Sequence, residues 1–237
     1  MSTRHRLAAA VAVVAVALSL VACAPADGVR PVTTEESQVL ASMRFRNFDA
    51  GTRALSFALE EGDLTLAIAG WYDFAGHRGY GLLDTGDGRA LLAWTGDTVG
   101  MSAGAPEDGA APLPMPEDAE WSTTPLDPTS SRLHALLAVI AGLGSDRPDN
   151  PLLLQQSGAL WVAEETVDGE PVTVFAGPPS DEPLHTGAEV DPDASGTRYW
   201  VDAGGVLHRA DIRVGGAWVR LDFAAAQHVD LGAGAAG

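Results

Sequence analysis

Near its C-terminal end the chain alternates strictly: Val219, Leu221 and Phe223 point one way, Trp218, Arg220 and Asp222 the other. Tyr199 and Val201 oppose Arg198, Trp200 and Asp202 in the same manner. A period of two marks strands with one apolar and one polar face, and the apolar face must be covered by a second layer. Ala203-Gly204-Gly205 and Gly215-Gly216 separate these strands by links too short for a crossover. The neighbours are therefore antiparallel, an up-and-down meander.

The same period recurs earlier. Leu55, Phe57 and Leu59 alternate, then Leu64, Leu66 and Ile68, with Gly62-Asp63 as the turn between them. Trp71 to Asp84 and Arg89 to Trp94 flank a hairpin turn, Thr85-Gly86-Asp87-Gly88. Leu160 and Val162 lead to the turn Asp168-Gly169, followed by Val172 and Val174, and Val206 to Val214 is a further strand. Residues 103–128, rich in Pro, Ala, Gly and acids, form a long irregular insert.

Three segments have helical spacing. Thr33-Thr-Glu-Glu36 is a capping box ahead of Val39, Leu40 and Met43. Asp127-Pro128 opens a helix carrying Leu133, Leu136, Leu137 and Ile140, and Asn150-Pro151 starts a third, short one. These three are the available cover for the sheet, which makes the chain α+β.

The N-terminus is a different kind of segment. Arg4 and Arg6 precede a nearly pure Ala/Val/Leu run, Leu7 to Val21, and small residues lead to Cys23. That run falls short of the roughly 20 residues of a transmembrane helix. Leu20-Val21-Ala22-Cys23 resembles the lipobox of bacterial lipoproteins, in which the cysteine sulfur is acylated and becomes the mature N-terminus. Cys23 is the only cysteine, so no disulfide competes for it. The expected organisation is a signal peptide over 1–22, a lipidated tether over 23–32, one domain over 33–225 and a flexible tail over 226–237. The protein is then lipid-anchored to the cell membrane on its extracytoplasmic face.

Charge narrows the partners. The formal net charge is −18, with 14 cations, all of them arginine. Losing Arg4 and Arg6 with an acid-free leader makes it −20 (−18 − 2). Such a chain repels phosphate backbones, so no nucleic acid is expected, and it opposes close docking on an anionic bilayer, leaving the anchor to tether a solvated domain.

Three enzyme-like motifs fail in context. Gly100-Met-Ser102-Ala-Gly104 matches a nucleophile elbow, but a Pro- and acid-rich stretch follows where a helix is required, with His185, His208 and His228 as distant candidates for the base. Leu82-Leu83-Asp84-Thr85-Gly86 resembles an aspartic-protease loop in a single copy, where the chemistry needs two. Asp191-Pro-Asp193-Ala-Ser195, with Asp202 at the twelfth place, imitates a calcium loop whose second half reads as a strand. The histidines lack metal-ligand spacing. No catalytic residue, metal or cofactor is expected.

The helix–meander–helix–meander order, with Asp168-Gly169-Glu170-Pro171-Val172 and Tyr199-Trp-Val-Asp202-Ala-Gly-Gly-Val-Leu-His-Arg209, resembles the LolA/LolB-like fold, and most nearly the actinobacterial LppX/LprG-type lipoproteins. Gly70-Trp-Tyr-Asp73 and Asn150-Pro-Leu-Leu sit where those proteins carry comparable segments. The resemblance implies an open half-β-barrel whose concave apolar face, roofed by helices, holds the acyl chains of a lipid or lipoglycan. The lining would be Leu64, Leu66, Ile68, Leu160, Val162, Val172, Val174, Tyr199, Val201, Val219, Leu221 and Phe223, roofed by Leu133, Leu136, Leu137 and Ile140. The same residues would equally make a filled core. In that event the fold is expected to serve as an RseB-like envelope sensor or accessory lipoprotein, binding a protein through the insert or the tryptophan-bearing face.

Overall fold

A computed structural model describes residues 28–179 and 191–232. The helix starts follow the local chemistry. Helix α1 (Thr34–Ala50) is capped by Thr33: the Glu36 N–H donates to its hydroxyl, and Glu36 accepts from the Thr33 N–H at 2.8 Å. Helix α2 (Arg132–Ala141) begins later than expected, with Ser131 as its cap, because Asp127 is engaged in a turn that accepts from the Thr129 N–H and hydroxyl. Helix α3 (Pro151–Gln156) starts at the Asn150 cap.

Twelve strands make one open antiparallel sheet. They are β1 (Arg30–Pro31), β2 (Thr52–Glu61), β3 (Leu64–Asp73), β4 (Arg78–Asp84), β5 (Arg89–Thr95), β6 (Thr98–Ser102), β7 (Ser122–Pro125), β8 (Leu160–Val167), β9 (Glu170–Ala176), β10 (Thr197–Val201), β11 (Leu207–Val214) and β12 (Ala217–Ala226). The spatial order is β1-β8-β9-β10-β11-β12-β2-β3-β4-β5-β6-β7. Two meanders, β2–β7 and β8–β12, thus join where β12 pairs with β2.

Trp71 to Asp84 is not one strand. It breaks at a turn where Asp73 accepts from the Gly76 N–H and His77 takes a positive φ of 52°. Beyond the turn, Gly70 and Gly81 face each other across β3 and β4. A Cβ on Gly70 would lie 2.3 Å from the Tyr80 carbonyl oxygen, so the strands come this close only because both positions lack side chains.

Helices and sheet share a single buried cluster. Leu40 and Met43 of α1 and Leu133, Leu136, Leu137 and Ile140 of α2 meet Phe57, Ile68, Val201, Leu221 and Phe223 of the sheet. Each such Leu, Ile or Phe removed from water contributes roughly 1.5–3 kcal/mol. The helices pack principally on β2, β10 and β11.

The opposite, outer face carries a second layer over β3–β5. Residues 103–121, which run between β6 and β7, lie across it, with Ala111, Met115 and Trp121 against Tyr80, Leu82, Leu91 and Ala93. Ser122–Pro125, expected within the irregular insert, is the edge strand β7. The expected loose tail is docked as far as it is described. Strand β12 runs to Ala226, the Gln227 N–H donates to the Thr52 carbonyl at 3.1 Å, and Leu231 is only 1% exposed against Met115. No helix of the described residues is long and apolar enough to cross a membrane.

Candidate functional site

The helix-covered face gathers most of the expected lining. Leu66, Ile68, Leu133, Leu136, Leu137, Ile140, Val201, Val219, Leu221 and Phe223 belong to one buried cluster, and Tyr199 packs against it. Cys23 and His185 lie outside the described residues.

Five of the expected lining residues are elsewhere. Leu64 ends the β2–β3 hairpin opposite Glu61 and is 48% exposed. Leu160 is buried opposite Ala176 but outside the cluster. Val172 and Val174 turn to the outer face, where Trp200 and Val162 join them. The reason is register: Val174 pairs with Trp200, and antiparallel partners share a face. Phe175 and Trp161 point to the helices instead. Strand β9 is apolar on both faces, so alternation alone does not choose between them, and an irregularity at Trp161/Ala163 resets β8.

The covered face also contains a buried cation that no periodicity announces. Arg53 is 1% exposed. Its guanidinium donates to the Asn47 side-chain oxygen at 2.9 Å and to the Ala224 carbonyl at 3.0 and 2.8 Å. Asn47 in turn donates to the Leu143 carbonyl, linking the sheet, α1 and the end of α2. No carboxylate among the described residues pairs with Arg53. Burial lowers its pKa to about 10, with Asp202 opposing the shift, so it stays charged at neutral pH.

The outer face has a groove. Cavities of about 760 and 370 Å³ adjoin at Ser56, Ala69, Ala110 and Asp222. Their floor is the small side chains of β2 and β3, with Trp71 and Leu82 beside the insert and Arg220 and Asp222 opposite. Farther along this face, Arg198 and Arg213 lie over Trp218 at 5.0 and 5.5 Å, and Arg220 over Trp200 at 5.6 Å. Trp200 is buried and donates to Glu165 at 2.8 Å, whereas Trp218 is 37% exposed.

The three enzyme-like motifs are occupied by local structure. Ser102 ends β6, is buried, and accepts from the Gly104 N–H, with no helix following. Asp84 accepts from the Gly86 N–H in the β4–β5 turn and lies 3.3 Å from Arg89. Asp202 accepts from the Gly204 and Val206 N–H groups and lies 3.2 Å from His208. Burial works to raise the Asp202 carboxyl, yet these partners together hold it below its usual range. Among the described residues there is no group of three or more His, Cys, Asp or Glu that could hold a metal.

No protein-family model matches the chain, and no curated protein matches it. Among solved structures it is similar to a DUF1329 family protein from Desulfovibrio piger, at 12% identity and a TM-score of 0.29, over 81% of this chain and 92% of that one.

Proposed function

We propose that this chain is a cell-envelope lipoprotein, anchored through Cys23, whose half-barrel holds the acyl chains of a lipid or lipoglycan between the sheet and its helices. The observation that carries the reading is the helix-covered face: on an open twelve-stranded sheet, one apolar face meets α1 and α2 by side-chain packing, with α3 set against α1. A chain entering there replaces helix–sheet contact with chain–sheet contact. Burial of the chain gains roughly 0.8 kcal/mol per methylene, nearly what a bilayer offers, and the displaced helix–sheet contact is set against it, so release to the bilayer is at least as easy as uptake. That balance suits a carrier, which must release as well as bind. The role is one of binding without catalysis.

A second reading, a protein-binding sensor or accessory lipoprotein, draws on the outer face: the groove beside the insert and the exposed Trp218 between two arginines. Mass spectrometry of organic extracts from purified residues 24–237 separates the two. Near-stoichiometric lipid is the expected result. An empty protein that also fails to take lipid from vesicles overturns the carrier and leaves the second reading.

A further inference from the structure

One row across the sheet collects three donor side chains under the helices. Arg53 pairs with Tyr72, Tyr72 with Gly79, and Gly79 with Trp94, on β2 to β5. Gly79 is what lets the indole lie down, since a Cβ there would fall 2.2 Å from the Trp94 ring. The Trp94 ring lies 5.7 Å from the Tyr72 ring, and the Phe74 ring 4.9 Å from it. Phe223 stands beneath the Arg53 guanidinium at 5.4 Å.

Hydrogen bonding in this row is incomplete. Tyr72 and Trp94 are fully buried, at 0% exposure, yet the Tyr72 hydroxyl and the Trp94 Nε1 have no partner among the described residues. Arg53 spends three bonds on Asn47 and Ala224, and a guanidinium has five N–H groups. Burial and the neighbouring Asp73 push the Tyr72 hydroxyl well above its ordinary pKa, so it remains a neutral donor. An unpaired buried polar group costs about 1–3 kcal/mol, and the two here belong to rings 5.7 Å apart, in one strand-register row with Arg53. Among the described residues Tyr72 and Trp94 each lack an acceptor oxygen, and an anionic one suits the Arg53 charge in the same row best.

We propose that Tyr72 and Trp94, with Arg53 beside them, hold the acceptor oxygen of an acyl ligand's head, a carboxylate or an ester carbonyl, while its chain lies along the apolar face. This rests on the lipid-binding reading and adds the head chemistry that the apolar face cannot select.

The test is the affinity of residues 24–237 for palmitate, methyl palmitate and hexadecane, in the wild type and in Tyr72→Phe and Trp94→Phe. Each variant removes one donor and keeps an aromatic ring, and thermal melts verify folding. If Trp94→Phe does not fold, Tyr72→Phe decides. Palmitate affinity should fall about tenfold in the variants, as for loss of one hydrogen bond to a charged acceptor, while hexadecane uptake stays unchanged. Methyl palmitate bound with the same sensitivity to the variants supports the ester form of the site. Unchanged palmitate affinity in folded variants of a binding-competent protein overturns the head site and leaves the lipid reading standing. A wild type that takes neither palmitate nor hexadecane overturns the lipid reading itself, and the head site with it.

Discussion

Glu36 does three jobs in α1. It completes the cap with Thr33, accepts both arms of the Arg30 guanidinium at 2.7 and 2.8 Å, and puts negative charge on the first turn. The Arg30 fork, against the cost of burial and with help from Thr33, holds its carboxyl down at about 2. A carboxyl depressed on folding stabilises fully above its unfolded value of 4.5, and that contribution is lost as pH falls through about 2. Glu36→Gln keeps the capping-box acceptor but loses the charge facing Arg30 and the helix dipole, and should cost about 1 kcal/mol at neutral pH. It should also remove this group's share of the acid sensitivity between those two values. Urea melts at neutral pH and near pH 3 check both. An equal acid loss in variant and wild type would contradict the assignment.

At the scale of elements, the insert is strapped down rather than loose. Arg89 donates to the Pro106, Glu107 and Gly109 carbonyls at 2.8, 2.8 and 2.5 Å, and the Met115 N–H donates to the Leu231 carbonyl at 3.1 Å. One side chain thus holds three carbonyls within residues 106–109 of a segment that has little secondary structure of its own. Arg89→Ala should free that end while Met115 and Trp121 keep the other docked. Cleavage at Glu107 by a glutamate-specific protease should accelerate several-fold with little change in global melting, since local opening is governed by local contacts. A cleavage rate equal to that of the wild type would show that the apolar anchors suffice without Arg89.

At the scale of the molecule, the proposal that Cys23 is the anchor has a direct test. In a bacterial host, Cys23→Ser should abolish incorporation of labelled palmitate and move the protein from the membrane fraction to the medium or periplasm. Retention of label in the variant would place the acyl group elsewhere and refute Cys23 as the anchor. Much of the architecture was legible in the chain: the capping box at Thr33, the Thr85–Gly88 hairpin and the alternation in β10 and β12 all lie where expected. The candidate site was legible only where one face of a strand is polar. Val219, Leu221 and Phe223 reach the helices, whereas Val172 and Val174, on a strand apolar on both sides, do not.

What the sequence determined by itself is whatever rests on near neighbours: periodicity, caps, turn residues and net charge. These depend on contacts within a few residues, which composition and spacing encode directly. Tertiary structure decided the joining of two meanders through β12 and β2, the docking of the insert and tail on the outer face, and the row Arg53–Tyr72–Gly79–Trp94. In that row an arginine, a tyrosine, a glycine and a tryptophan, spread over some forty positions, become neighbours only through the pairing of four strands. Strand pairing sums many weak, long-range choices of register, and no single stretch of sequence contains them.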